Sequence, residues 1–482
     1  MMVQRAKGDV HCEEVKLFWA DRGVEHPARG AIIGGMQPAG LTERTARIIG
    51  IGGICVLFGY FLTYDNVRLS HVPPHFGDFP TFYHAARAML DGRDPYVPYE
   101  ADLSYVYPPL LAACYTPLAH LSKLSAARIM LPINIAFALT ALLLGTRAIM
   151  RRLEVPITLG SLACIACLAG WLSENELRNQ LQALETDALM LLCFTLALWW
   201  LDRRPIFAGA ALAFALNIKY LSIITLPYLL LRRRWRAAIG MGIWTLIWGL
   251  LPALVLGWRE NARCLRVALS GLLGWVGVAR PAGAETAHVH GITDGLSLSV
   301  TSGLARVLEQ HGASPKMGLV LAALLGLTGL MWAAWLYSGK GFPFLLWSPA
   351  QAQQDWPFNG LVAIEWVSLI VVALAFSPDT NARHLVLALL VNILAATMLL
   401  VPRPGVPRAP LAVGTILMFL GFIMPLKGWV TPKQAHAYFH YGIACWCLLG
   451  MYAVLLWTGL RYIKAGSTVI HSTAEMAAAQ RK

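Results

Sequence analysis

Apolar runs broken by short polar stretches recur almost from one end of this chain to the other. The runs at 45–64, 125–150, 237–258, 316–337 and 441–460 have the length of a bilayer-spanning helix, because a hydrocarbon core about 30 Å thick needs about 20 residues rising about 1.5 Å each. Runs at 157–172, 188–201, 360–376, 385–401 and 410–425 repeat the pattern in shorter form. The run at 206–231 differs. It is split at Asn217-Ile218-Lys219-Tyr220, and its first half, 206–216, would rise only about 16 Å as helix. A broken, partly re-entrant hairpin fits it, with Lys219 at the tip inside protein or a water-filled cavity, since a bare lysine in lipid costs about 3 kcal/mol even on lenient scales.

Composition supports an all-α polytopic membrane protein: 57% of the residues are hydrophobic and 13% charged, and the mean hydropathy is +0.57. A formal charge of +13 could suggest nucleic acid, but the cations fall in short runs between apolar segments. These are Arg147, Arg151 and Arg152; Arg203 and Arg204; Arg232, Arg233, Arg234 and Arg236; Arg403 and Arg408; Arg461 and Lys464. Such runs mark cytoplasmic loops. Counting crossings between them predicts about twelve membrane-embedded helices, with residues 1–44 and 461–482 as cytoplasmic tails and both termini inside. Arginines on both sides of 206–231 ask for two crossings within it. The external segments are then 66–123, a polar stretch ENELRNQLQALETD after 172, 259–315, and the turn at 377–384. The nine cysteines are scattered through apolar runs and predict no disulfide framework.

The most informative external stretch is 76–110, FGDFPTFYHAARAMLDGRDPYVPYEADLSYVYPPL. Phe79, Phe82, Tyr83, Ala86, Met89 and Leu90 follow helical spacing, which predicts a short amphipathic helix along the membrane surface. Asp78 opens that helix, where an aspartate ordinarily serves as an N-cap. The run at 107–122 is short and broken by proline, so it is expected at the interface. The order Gly-Asp-Phe, Tyr-x-Ala-Ala, Asp-Gly-x-x-Pro-Tyr, Tyr-x-Tyr-Pro-Pro-Leu resembles the first external loop of the glycosyltransferase family 87 enzymes, the polyprenol-phosphate-sugar-dependent mannosyltransferases. The octet Ser-Pro-Asp-Thr-Asn-Ala-Arg-His at 377–384 is similar to that family's Ser-Pro turn followed by two histidines, with Arg383 in the first histidine's place and His384 in the second. Asn179, Gln180 and Gln182 partly match its Gly-Gln-x-Asn, and a lysine stands in a comparable broken hairpin.

The resemblance implies a C-type glycosyltransferase fold, with residues 45–460 as the transmembrane catalytic domain at the plasma membrane. The implied reaction transfers a hexose, most simply mannose, from a polyprenyl-phosphate donor to a lipid or glycan acceptor at the extracytoplasmic face, with inversion. It implies no nucleotide sugar, no cofactor and no required metal. Asp78 is the expected general base, Lys219, Arg383 and His384 the groups for donor phosphate, and Phe82, Tyr83, Tyr107, Asn179, Gln180 and Gln182 the expected lining of the substrate cavity. A sugar phosphate between base and cations asks for a gap of about 5–12 Å. On this reading Lys219→Met deletes a phosphate contact at little cost to folding. His288 and His290, beside Glu285 and Asp294, read as solvated loop histidines rather than metal ligands, and His436 with His440 as interfacial packing. Two other functions suit the same charged residues: transport or flipping of lipid-linked sugars, and ligation of lipid-linked oligosaccharides.

Overall fold

The computed structural model describes residues 41–71, 78–98, 105–275, 291–344, 356–423 and 430–480. Most of the expected N-terminal tail, together with His288 and His290, lies outside them. Every regular element among the described residues is helical, and the chain is an all-α polytopic membrane protein.

In chain order, α1 (Glu43–His71) is followed by the short α2 (Phe79–Leu90) and α3 (Pro109–Ala119), then by the long α4 (Lys123–Arg152). Short helices come next: α5 (Leu159–Leu172), α6 (Glu174–Ala183), α7 (Asp187–Trp200), α8 (Pro205–Leu216) and, after a 3₁₀ turn at Tyr220–Ile224, α9 (Thr225–Leu231). The one-turn α11 (Ala253–Leu256) extends α10 (Trp235–Leu250) and leads to α12 (Trp258–Trp275), α13 (Val300–Gln310), α14 (Met317–Lys340) and α15 (Trp356–Phe376). A second 3₁₀ turn, His384–Ala388, opens α16 (Leu389–Leu400), and α17 (Arg408–Ile423), α18 (Pro432–Tyr441) and α19 (Ile443–Gln480) follow. Six of these are long and apolar enough to cross a membrane: α1, α4, α10 with α11, α14, α15 and α19. The other apolar helices run 10–17 residues and are too short to span about 30 Å singly.

Helices that are apolar all round can face either protein or lipid, because the two environments are equally dry. The structure uses both options. In α16 every residue of 389–398 is buried, and the most apolar stretch of α15 is 72% buried, which puts these two at the centre; in α14 the figure is 17%, so that helix lies at the edge. Helices α8 and α10 cross so closely that a Cβ at Gly209 would sit against the backbone of Ala237 and Met241, and Gly240 lies against Ile206 in return. Only glycine permits that approach.

The polar stretch after 172 is helical and largely buried. It forms α6 with Asn175, Glu176, Leu177, Gln180 and Leu181 buried, because its polar groups find partners within the protein rather than in water. The last helix runs on to Gln480, since 461–480 contains no proline and alanines are frequent there.

The charged groups of the bundle gather at two levels. At one, Arg152 binds Asp202 Oδ2 at 2.8 Å and Asn359 Oδ1 at 3.0 Å, Arg234 binds Asp202 Oδ1 at 2.6 Å, and Arg403 donates to the carbonyls of Tyr462 and Leu153. The other level begins at Asp187, at the opposite end of α7 and about 20 Å away by helical rise.

Candidate functional site

Four separate parts of the chain converge at that second level. The first is the turn before α2. Asp78 stands at the N-cap position but makes no capping hydrogen bond; its carboxylate instead meets Arg383 Nη1 at 2.9 Å. Proline at the first turn starts the helix in place of a cap. The apolar face of α2 then seats Phe79, Phe82, Ala86 and Met89 in the core. Phe82 packs edge-on to Tyr115 and tilted on Tyr107, at 5.7 Å in both cases. Tyr83 is half-buried and ties α2 to the start of α4 by donating to the Leu121 carbonyl at 2.7 Å. Tyr96 donates to the Tyr107 carbonyl at 2.8 Å, which holds the loop carrying Tyr107 over the site.

The second part is the turn between α6 and α7. Leu184 takes a left-handed conformation, φ 50°, which costs a residue with a Cβ about 1–2 kcal/mol. The reversal delivers Glu185 and Asp187, both at 0% exposure, into the same small space. Gln180 reaches back from α6 and donates to the Glu185 main-chain carbonyl, so it positions the turn.

The third part is the break in the hairpin. Helix α8 stops at Leu216, Lys219 is extended (φ −142°, ψ 140°), and Ser222 Oγ donates back to the Leu212 carbonyl at 3.0 Å, so the chain has turned on itself. Lys219 Nζ lies 2.9 and 3.0 Å from the two Asp187 oxygens, 3.4 Å from Glu185 Oε2, and 5.7 Å from the centre of the Tyr107 ring.

The fourth part is the octet. Its backbone is pinned by Thr301 donating to Phe376, Ser302 to Pro378, and Leu298 N–H to Thr380. Arg383 Nη1 binds Glu185 Oε1 at 2.6 Å as well as Asp78. His384 Nε2 lies 3.1 Å from Lys219 Nζ and 3.9 Å from Asp187 Oδ2, while its Nδ1 accepts the Asn381 N–H at 3.2 Å. A neutral imidazole accepts at one nitrogen only. The two ring nitrogens therefore cannot both accept, and the Asp187 carboxylate, at 2.9 and 3.0 Å, is what holds the Lys219 ammonium.

Three carboxylates thus surround two cations. Asp78 is pushed well above the usual carboxylate range, first by its enclosure and then by Glu185, with Arg383 and Lys219 opposing. Glu185 moves the other way: burial raises it, but Lys219, a hydrogen bond with Asp78, and Arg383 outweigh burial and hold it low. The two carboxyls contact one arginine nitrogen, so they titrate as a pair rather than independently. Although protein crowds the Asp78 carboxyl on most sides, its side chain and that of Arg383 keep 30% and 32% exposure, against 8% for Lys219.

Among the residues singled out from the sequence, Asp78, Lys219, Tyr107, Arg383 and His384 meet here, and Phe82 and Gln180 touch the cluster through Tyr107 and Glu185. Asn179 and Gln182 are half-buried on α6, and no hydrogen bond among the described residues joins either to Asp78, Lys219, Arg383 or His384. The expected gap is closed, since Asp78 and Arg383 are in direct contact: opposite charges this close in a water-poor site pair with each other. His436 and His440 stack at 5.9 Å on α18, away from this cluster. Glu185 and Asp187 were missed. The available signal was two acidic residues at the mouth of an apolar run, which in a membrane protein marks a functional position until shown otherwise.

The glycosyltransferase family 87 model matches residues 105–348, half of the chain. Over 230 residues the chain is 28% identical to the polyprenol-phosphate-mannose-dependent alpha-(1-2)-phosphatidylinositol mannoside mannosyltransferase of Mycobacterium tuberculosis (strain ATCC 25618 / H37Rv), a match covering 43% of this chain and 51% of that protein. The chain therefore spans about half the length of that curated relative. The family match takes in Glu185, Asp187 and Lys219, whereas Asp78, Arg383 and His384 fall outside it.

Proposed function

The chain belongs to glycosyltransferase family 87, and from that membership and the charged cluster we propose that it is a membrane glycosyltransferase that moves a hexose, mannose in the first instance, from a polyprenyl-phosphate donor to a hydroxyl of a glycolipid acceptor. The observation that carries the reading is Asp78 beside Arg383, with Lys219 and His384 behind them. A general base and a fixed cation within one side chain's reach are what displacement of a phosphate by a hydroxyl requires.

The step balances as follows. The acceptor oxygen attacks the anomeric carbon while Asp78 takes the hydroxyl proton. The bond from the anomeric carbon to the phosphate oxygen breaks, and polyprenyl phosphate leaves with the electron pair. One displacement inverts the anomeric centre. The donor phosphate competes with Asp78 and Glu185 for the Arg383 guanidinium, so donor binding opens the ion pair and frees the base. Lys219, enclosed by Asp187 and Glu185, acts from behind as a fixed positive charge, and Tyr107 and Phe82 offer apolar faces to the sugar.

The extracytoplasmic placement of this chemistry is supported by the arginine-rich level at the other ends of the same helices, which the positive-inside rule assigns to the cytoplasm. The test is incubation of purified protein with polyprenyl-phosphate-mannose and a membrane lipid extract, followed by mass analysis and assignment of the anomeric configuration. A mannosylated lipid of inverted configuration and an equal amount of free polyprenyl phosphate are expected. Movement of intact donor between leaflets with no new glycosidic bond would instead identify a flippase.

A further inference from the structure

At the arginine-rich level, a cavity of about 270 Å³ opens between the ends of α4, α7 and α15, lined by Ala148, Arg151, Arg152, Leu198, Trp199, Asp202, Arg203 and Asn359. We infer that this cavity is a binding site for a phosphate group, and that its natural occupant is the headgroup of an anionic lipid.

The wall carries three guanidiniums and one carboxylate. That carboxylate is already divided: Asp202 Oδ2 serves Arg152 at 2.8 Å and Oδ1 serves Arg234 at 2.6 Å. Two buried cations, Arg152 in the wall and Arg234 behind it, with side chains 6% and 3% exposed, therefore share one anion, and Arg234 keeps Nε and Nη2 without a hydrogen-bond partner. An excess of buried positive charge is costly until an anion approaches. Arg152 is itself oriented by Asn359 Oδ1 and the Leu198 carbonyl, so this part of the wall is built in advance. Guanidiniums fit phosphate by paired N–H donors, which favours a phosphate over a carboxylate or halide as the class of ligand.

The surroundings indicate where that phosphate comes from. Arg147 and Arg151 lie over the Trp199 ring at 5.6 and 5.8 Å, an arrangement of cation and indole typical of the headgroup level of a bilayer. Ile206 and Phe207, just beyond, are each 53% exposed and offer an apolar face for an acyl chain. A basic cavity between helix ends at the cytoplasmic level is where anionic lipid headgroups are held. The chemistry at Asp78 takes no part in the argument, so this proposal stands or falls apart from the glycosyltransferase reading.

The experiment is a thermal unfolding titration of the purified chain in neutral detergent with dioleoyl phosphatidylglycerol, dioleoyl phosphatidylcholine or sodium pyrophosphate. Saturable stabilisation by phosphatidylglycerol and none by phosphatidylcholine is expected. Arg151→Gln with Arg203→Gln should weaken the phosphatidylglycerol midpoint about 30-fold; Arg203→Gln alone, at an exposed position, serves if the double variant does not fold, with a fall of about fivefold. Stabilisation by pyrophosphate alone, lost in the variants, would keep the phosphate site and replace the lipid by a soluble ligand. Equal response to both lipids, or a phosphatidylglycerol midpoint unmoved by the substitutions, would overturn the proposal.

Discussion

Lys219→Met keeps most of the side chain's length and removes its charge. Read from sequence, that change deletes a phosphate contact and leaves folding nearly intact. The ion pairs of Lys219 argue for a larger cost to folding. The ammonium is 2.9 Å from Asp187 Oδ2 and 3.4 Å from Glu185 Oε2, with both carboxylates at 0% exposure. At an effective dielectric constant of about 20, each contact contributes on the order of 5 kcal/mol of gross attraction. Desolvation of the three ions offsets most of that, so the intact cluster adds little net stability. Removing one partner is not symmetric with never having built the cluster, because two buried carboxylates lose their compensation; the usual cost is about 3–5 kcal/mol. The assay is unfolding of the purified protein in denaturant, with membrane expression as a second readout, and both should fall. Adding Asp187→Asn to Lys219→Met should recover about half of the loss, since one of the stranded charges is gone. A single variant that unfolds at the wild-type midpoint, or a double variant no better than the single, refutes the reasoning.

Asp78→Asn should leave the fold intact, as its side chain caps no helix, and lower turnover by about 10² to 10⁴ as measured by product formation from polyprenyl-phosphate-mannose; near-normal turnover removes it as the base. A base must be deprotonated to act, and enclosure and Glu185 hold the Asp78 carboxyl up. The acid limb of the pH–rate profile should therefore lie above the usual carboxylate range, with activity rising as pH rises. Glu185→Gln removes the like charge and should move that limb to lower pH, whatever its effect on maximal rate; a limb that stays in place argues against coupling between the two carboxyls. Gly209→Ala drives a methyl group into the backbone of α10 and should destabilise the protein by about 1–3 kcal/mol in the same unfolding assay, whereas Gly242→Ala, with open space around it, should change stability by less than about 0.5 kcal/mol.

Much of the architecture was legible because hydrophobic periodicity and the flanking arginines are local properties. A stretch of 20 apolar residues is a span whatever surrounds it, and Lys219 between two half-length apolar runs identifies a break before any packing is known. The amphipathic α2 was readable for the same reason: its spacing alone separates the face of Phe79, Phe82, Ala86 and Met89 from the exposed Arg87. Burial of polar residues is another matter, because it depends on partners far away in sequence. Nothing within ENELRNQLQALETD reveals that Glu185 meets Arg383, 198 positions later, or that Asp187 encloses Lys219 across 32. The same residues with no such partners would make a solvated loop. Asp78 shows the division in one residue: its place at the start of a helix follows from the chain, but whether its carboxylate caps that helix or binds Arg383, 305 residues away, was decided only when folding brought an arginine closer than water to a carboxylate in a site of low dielectric.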